Sequence, residues 1–291
     1  MTVPARPTPL FADIADVSRR LAETGYLPDT ATATAVFLAD RLRQPLLAEG
    51  PAGGGKTELA RAVAQATGSG LVRLQCYEGV DEARALYEWN HAKQILRIQA
   101  GSGDWEATKT DVFSEEFLLQ RPLLTAIRRT EPTVLLIDET DKADIEIEGL
   151  LLEVLSDFAV TVPELGTLTA TRAPFVLLTS NATRELSEAL KRRCLYLHID
   201  FPTPELERRI LLSRVPELPE HFAEELVRII GVLRGMQLKK VPSIAETIDW
   251  GRTVLALGLD TIDDAVVAAT LGVVLKHQSD QQRATGELRL N

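Results

Sequence analysis

The chain reads as an α/β protein, a five-stranded parallel sheet packed between two layers of helices, followed by a small all-helical domain. Three observations predict it. Five apolar, strand-like runs, at 45–49, 71–76, 133–138, 175–179 and 194–200, alternate with helix-patterned segments, and such alternation builds parallel strands joined by crossover helices. The first run passes through a glycine-rich turn straight into a helical pattern. After Pro202-Thr-Pro204 the strand pattern stops and only helical spacing remains. In a sheet of this kind the ligand loops gather at the carboxyl ends of the strands.

Each element has its own signal. Apolar residues at 10, 14, 17 and 21 recur at helical spacing until Gly25, and a second helix is expected from Asp29 to Arg43. The first strand, Pro45-Leu-Leu-Ala-Glu49, precedes a helix over 58–65. Between the second and third strands lies a long excursion, 78–130. There the pattern predicts a helix over 81–99, a break at Gly101-Ser-Gly-Asp104 and a helix over 114–129 around Pro122. A helix over 146–158 follows the third strand, and the runs 159–163 and 167–171 around Glu164-Leu-Gly166 read as a β-hairpin. Beyond Pro204, helices are expected over 205–214, 219–235, 243–258 and 261–277, the third opened by the capping box Ser243-Ile-Ala-Glu246. The polar stretch 279–291 is expected to fray. The domain division that follows is 1–201, 202–278 and a flexible tail, 279–291.

Composition narrows the function classes. At 291 residues, 45% apolar and 25% charged, the chain can bury a full core. A formal charge of −10 speaks against nucleic acid as the main partner, because phosphate backbones require concentrated Lys and Arg. No apolar run is long enough to span a bilayer and the first residues lack the apolar core of a signal peptide, so a cytoplasmic location is expected. Cys76 and Cys194 each border an apolar strand-like run, which suits reduced, buried thiols, and the four histidines form no ligand cluster.

The chemistry concentrates in two runs. Gly50-Pro51-Ala52-Gly53-Gly54-Gly55-Lys56-Thr57 fits the spacing G-x-x-x-x-G-K-S/T between a strand and a helix, with Glu58 next to it. Glycines there let backbone N–H groups approach a β-phosphate, and the helix N-terminus adds a positive dipole end. Lys56 would reach the β- and γ-phosphates, and the Thr57 hydroxyl would bind Mg2+. The second run, Leu135-Leu-Ile-Asp-Glu139, ends a buried strand in two acids. Asp138 would hold Mg2+ through water, and Glu139 would orient and polarise the water that attacks the γ-phosphate. Two adjacent acids alone more often make a solvated strand end; paired with Lys56 they point to ATP hydrolysis.

Two further positions carry alternatives. Asn181, at the end of Phe175-Val-Leu-Leu-Thr-Ser-Asn181, positions the attacking water if its strand lies beside the phosphate loop, and otherwise caps the next helix. Lys191-Arg192-Arg193-Cys194 is either a surface basic run or holds an arginine finger, Arg193 or Arg192, acting across a subunit interface.

The set Gly50 to Thr57, Leu135 to Glu139, Asn181 and Arg193, with helices from about 202, resembles an AAA+ ATPase, a P-loop NTPase with a three-layer αβα core and a helical lid. Leu74-Gln-Cys-Tyr-Glu-Gly79, Glu88-Trp-Asn90, Arg121-Pro-Leu-Leu124 and Ile137-Asp-Glu-Thr-Asp-Lys-Ala143 further resemble the MoxR family, and within it the CoxD-like ATPases of CO dehydrogenase maturation. That resemblance implies a hexameric, ATP- and Mg2+-dependent chaperone that matures a metalloenzyme client, with a von Willebrand factor A domain partner. It also implies that Asn181 is sensor 1, that Arg193 is the finger and that Gln75 restrains Glu139. The alternative that the resemblance leaves is an AAA+ activator of another client, such as a nitric-oxide reductase or rubisco. Many relatives carry a lid arginine in Ser-Pro-Arg; here Ser243-Ile-Ala245 stands instead, leaving Arg252 as the candidate or as a surface residue. Tyr77, Trp89 and Trp105 either grip a client polypeptide or anchor the core, and Cys76 either takes part in sulfur transfer or is a buried thiol. A small-molecule kinase, a nucleic-acid motor and a non-catalytic scaffold are the competing classes.

Overall fold

The structure, a computed structural model, describes residues 9–100, 111–259 and 261–288. Two compact units result. The first holds the residues up to Thr24, Pro28–Gly50 and Lys56–His198; the second holds Gly25–Leu27, Pro51–Gly55 and the chain from Ile199.

In chain order the strands are β1 (Leu46–Glu49), β2 (Gly70–Gln75), β3 (Tyr87–Trp89), β4 (Leu118–Gln120), β5 (Thr133–Asp138), β6 (Ala159–Val162), β7 (Gly166–Thr169), β8 (Phe175–Ser180) and β9 (Leu195–His198). The predicted α/β class holds: β2, β5, β8, β1 and β9 form one sheet in that order, every pairing parallel. β5 and β8 are buried along their whole length, which is why they read as unbroken apolar runs rather than alternating ones. Register sets the strand ends against one another. Gln75 lies opposite Asp138, and Glu49 lies opposite both Ser180 and His198. Leu47, Leu135, Ile137, Leu178, Leu123 and Ile127 are among the side chains of the main core, each at most 1% exposed.

Helices cover the sheet where their caps dictate. Asp13, Asp29 and Asp144 each accept the backbone N–H three residues on, opening the helices Ile14–Glu23, Thr30–Leu42 and Ile145–Asp157. The expected hairpin forms as β6 and β7.

The excursion between β2 and β5 departs from the prediction. In place of one helix over 81–99 there is a short helix, Glu82–Ala85, then β3, then the helix His91–Ala100. The expected helix over 114–129 likewise gives a 3-10 turn, Glu115–Phe117, then β4 and the helix Pro122–Arg128. The cause is tertiary. Tyr87 to Trp89 pair antiparallel with Leu118 to Gln120, Arg121 Nη2 donates to Glu88 Oε2 at 2.7 Å, and Trp89 stands edge-on to Phe113 with ring centroids 5.4 Å apart. Aromatic residues favour a pleated, half-buried surface, and Pro122 keeps Arg121 extended, so the helical period loses locally. Trp105 and the break expected at 101–104 lie outside the described residues.

The second unit builds its own helical core around Trp250, 0% exposed, whose indole N–H donates to Thr270 Oγ1 at 2.8 Å. Its helices span Pro204–Arg214, Glu220–Gly235, Ile244–Leu257 and Asp264–Val274, and the capping box at Ser243 and Glu246 is formed. The stretch from 279, expected to fray, is instead helical over Gln278–Glu287. Asp280, 3% exposed, accepts from Lys239 N–H at 3.0 Å and Lys240 N–H at 3.2 Å, and Ala284 is fully buried, so that helix is tied down at both turns.

Candidate functional site

The glycine-rich turn takes the shape its residues allow. Gly50 N–H donates to Ser180 O at 3.2 Å, which fixes the start of the turn to the end of β8. Gly53 and Gly55 have φ of +79° and +94°, values a side chain disfavours. Residues 51–55 group with the second unit, where a Cβ added to Gly53 would stand 2.1 Å from that of Ser243. No bulkier residue fits there. Ala52 and Gly53 are exposed, leaving their backbone open to a ligand.

Lys56 opens the helix Lys56–Thr67 and is only 5% exposed. Its ammonium donates to Gly50 O at 2.8 Å. Burial pulls its pKa down, while the nearby carboxylates of Asp141, Asp138, Glu139 and Glu49 act the other way. A cation held in a buried place by surrounding acids is primed to meet a phosphate group. Glu58 lies in the first turn of the same helix, within 3.7 Å of Arg61.

Asp138, 2% exposed, ends β5 and receives four donors. Thr57 Oγ1 donates to its Oδ1 at 2.9 Å and Thr179 Oγ1 to the same oxygen at 2.6 Å. Arg73 donates to Oδ2 through Nε at 3.0 Å and Nη2 at 2.5 Å. Thr57 and Asp138, 81 positions apart in sequence, thus present a hydroxyl and a carboxylate side by side. That donor pair suits Mg2+, a hard cation that takes few protein oxygens and completes its shell with phosphate and water.

Glu139 turns the chain sharply, with φ 56° and ψ 48°. A non-glycine residue in this region costs on the order of 1 kcal/mol. The turn is held because Glu139 N–H donates to Thr179 Oγ1 at 2.9 Å. Its carboxylate accepts from Gln75 Nε2 at 2.9 Å and from Lys142 Nζ at 2.6 Å. Gln75 thus touches the Glu139 carboxylate directly.

Asn181 follows β8, which lies between β5 and β1 and so beside the strand that enters the glycine turn. It caps no helix; the next one, Glu188–Lys191, is capped by Ser187. Asp141, 3% exposed, accepts Asn181 N–H at 3.2 Å and Thr183 N–H and Oγ1 at 3.1 and 2.5 Å, and holds that loop in place. Arg193 sits elsewhere. It precedes β9, at the opposite end of that strand from His198, and bonds Ser156 Oγ at 2.8 Å and Ala189 O at 3.2 Å. Arg192 is 82% exposed, 4.0 Å from Glu188. Arg252 is 61% exposed and lies 3.3 Å from Asp249 on its own helix. Tyr77 is 43% exposed. Cys76 is buried, and burial, ahead of the neighbouring carboxylates, pushes its thiol up to about 12, so it stays protonated.

Arg73, Thr179, Asp141 and Lys142 belong to the site although the motifs do not single them out. Arg73 had a signal: it stands two residues before Gln75 and therefore on the same face of β2. Thr179 had none, since its role depends on which strand pairs with which.

Comparison with known proteins agrees with this geometry. Residues 45–194 match the family model of the AAA domain, dynein-related subfamily. The chain is 27% identical over 233 residues to chaperone protein ClpB 1 of Synechocystis sp., and 24% identical over 219 residues to ClpB of Chlamydia pneumoniae. These matches take in 75% and 71% of this chain, but the chain spans only 23% of the length of either relative. Among solved structures, a RuvB mutant of Thermotoga maritima superimposes with a TM-score of 0.51 at 18% identity, over 92% of this chain and 73% of that one. That likeness is one of fold. Because the family match runs through both sequence motifs and four of the five parallel strands, the chain belongs to the AAA domain family, dynein-related subfamily, a family of nucleotide-binding ATPases.

Proposed function

We propose that this protein is a Mg2+-dependent ATPase of MoxR type that couples hydrolysis to remodelling a protein client, in a hexameric ring. The observation that carries the reading is the hydrogen bond from Thr57 to Asp138, which unites the two motifs in one place. Residues 50–58 bind the phosphates, with Lys56 neutralising the β- and γ-oxygens. Thr57 and Asp138 hold Mg2+, which supplies charge neutralisation of the phosphates when bound. Glu139 orients the attacking water and takes its proton once Gln75 and Lys142 release it. Asn181, aligned by Asp141, positions that water.

Arg193 acts as the finger on the neighbouring subunit's nucleotide, with Arg192 in reserve. Its place at the amino end of β9 supports action in trans, because the phosphate loop leaves β1 at the carboxyl end and the two strands run parallel. The ClpB relatives, chaperones by name, support a protein client. The motif resemblance points further, to maturation of a metalloenzyme of the CO dehydrogenase kind with a von Willebrand factor A domain partner. Because Cys76 stays protonated, sulfur transfer through it is not part of the reading. No helix among the described residues is long and apolar enough to cross a membrane.

Mixing subunits tests the shared site. Arg193→Ala and Lys56→Ala chains, each inactive alone, should regain part of the ATPase activity when mixed, and mass measurement with a slowly hydrolysed ATP analogue should show a ring. No regain at any ratio, or a persistent monomer, refutes the shared site.

A further inference from the structure

We propose that Arg73 is a built-in cation that occupies the metal-facing oxygen of Asp138 in the nucleotide-free chain, and that its displacement by Mg2+ loosens the restraint on Glu139. The inference rests on the reading of Thr57 and Asp138 as the Mg2+ ligands, and goes beyond it.

The two oxygens of Asp138 are used differently. Oδ1 takes both hydroxyls, from Thr57 and Thr179, while Oδ2 takes two N–H groups of Arg73 and no other described donor. Each oxygen thus carries two donors, and a metal shared with Thr57, or a water bound to it, must take its carboxylate contact where those donors can leave. Oδ2 is that oxygen, because both of its donors belong to the one side chain of Arg73. Asp138 cannot turn away, since its side chain is 3% exposed and its other oxygen is pinned by two threonines. Arg73 can: it projects from β2, an edge strand of the sheet, and its side chain is 44% exposed, so it exchanges the carboxylate for water at small cost.

Displacing Arg73 has a second consequence. Its Nη2 also donates to Gln75 Oε1, and the other end of the same amide donates to Glu139 Oε2. Arg73 therefore pins the oxygen end of the Gln75 amide, whose nitrogen end also donates to Cys76 O at 3.2 Å. Without the Arg73 donor the amide keeps only its nitrogen-end bonds, and its hold on Glu139 loosens while that of Lys142 stays. Filling the metal position and freeing the glutamate become one event. Charge balance runs the same way: Arg73, Lys142 and Lys56 face four carboxylates, Asp138, Glu139, Asp141 and Glu49, so a divalent cation enters most easily when one monovalent cation leaves.

The test is a Mg2+ titration of the full chain, reading a fluorescent ADP by anisotropy, for wild type, Arg73→Ala, Arg73→Gln and Arg73→Lys. Removing the competitor should lower the half-saturating Mg2+ by about five- to tenfold in the Ala and Gln variants. The Lys variant, which keeps the charge, should stay within about twofold of wild type, and nucleotide affinity in EDTA should change by less than about twofold in all of them. A lowered Mg2+ requirement with unchanged affinity in EDTA is a split that a merely structural role would not produce. If the Ala variant fails to fold, the Gln variant carries the test. Nucleotide binding with an unchanged or higher Mg2+ requirement in the Gln variant overturns the role of Arg73. Loss of all nucleotide binding by the wild-type chain would instead overturn the ATPase reading itself.

Discussion

Each unit of this protein contains a partly or wholly buried arginine–carboxylate pair, and the two differ in how completely they close. In the second unit, Arg234 and Glu207 meet through two parallel bonds of 2.6 and 2.8 Å, with side chains 13% and 2% exposed. Thr247 adds a third donor at 2.7 Å, Arg234 Nε is used on Pro242 O, and the guanidinium lies 4.3 Å from the Phe201 ring centroid. Every side of that pair is filled. In the first unit, Arg73 and Asp138 meet beside two more carboxylates, Glu139 and Asp141, with the arginine half in solvent. One pair is sealed and belongs to the fold. The other is open and rich in acid. A buried charge pair by itself does not mark a functional site; surplus charge next to an opening does.

The sharpest contrast between the pairs comes from removing one partner. Glu207→Ala leaves Arg234 buried without a counter-charge and should cost about 3–5 kcal/mol of stability, measured by denaturant unfolding, with nucleotide affinity of the folded fraction unchanged. A variant as stable as wild type would remove the structural role of the sealed pair. Lys56→Ala should act the opposite way, lowering nucleotide affinity by roughly a hundredfold through loss of the charged contact. Its melting temperature should hold or rise, because a desolvated ammonium is removed. Equal binding by that variant would break the assignment of the phosphate loop.

Thr179→Val is nearly isosteric but deletes the donor to Asp138 and the acceptor of Glu139 N–H. It should cost about 1–3 kcal/mol in stability and slow turnover more than it weakens nucleotide binding. An unchanged kcat would show that the turn at Glu139 does not depend on it.

Acid should act more gently, and on the fold as a whole. Burial alone would raise the carboxyls of Asp141 and Glu148, but hydrogen bonds from Thr183 and Asn181 to the first, and from Ser187 and Arg184 to the second, outweigh it, and both lie below the usual range. A carboxylate with a lowered folded pKa stabilises the fold above its unfolded value, roughly pH 4, and that contribution is lost as pH falls through the folded value. Stability should therefore hold down to about pH 4.5 and drop below it. Asp141→Asn should blunt the drop; an equally steep fall in that variant would contradict the account. The smallest effect belongs to Arg252→Ala, expected within about 0.5 kcal/mol because that side chain is exposed and pairs only on its own helix.

What could be read in advance followed from how local each signal is. The five parallel strands announced themselves as buried apolar runs, and Lys56, Thr57, Asp138 and Glu139 as short motifs whose spacing is set by one loop or one strand end. The pairing of β3 with β4 is not legible in the sequence because Tyr87–Trp89 gains its partner only from the distant Leu118–Gln120. Nothing within either window outweighs its helical period. Arg73 illustrates the same limit within the site. Its identity was visible, but its contact with Asp138 depends on the pairing of β2 with β5, which sets Gln75 opposite Asp138.

The central claim is that the open site hydrolyses ATP through Glu139. The direct measurement is phosphate release and nucleotide binding by the Glu139→Gln chain. The account predicts that turnover falls by about 100- to 10,000-fold while the variant still binds ATP with Mg2+. Turnover at the wild-type rate would contradict it.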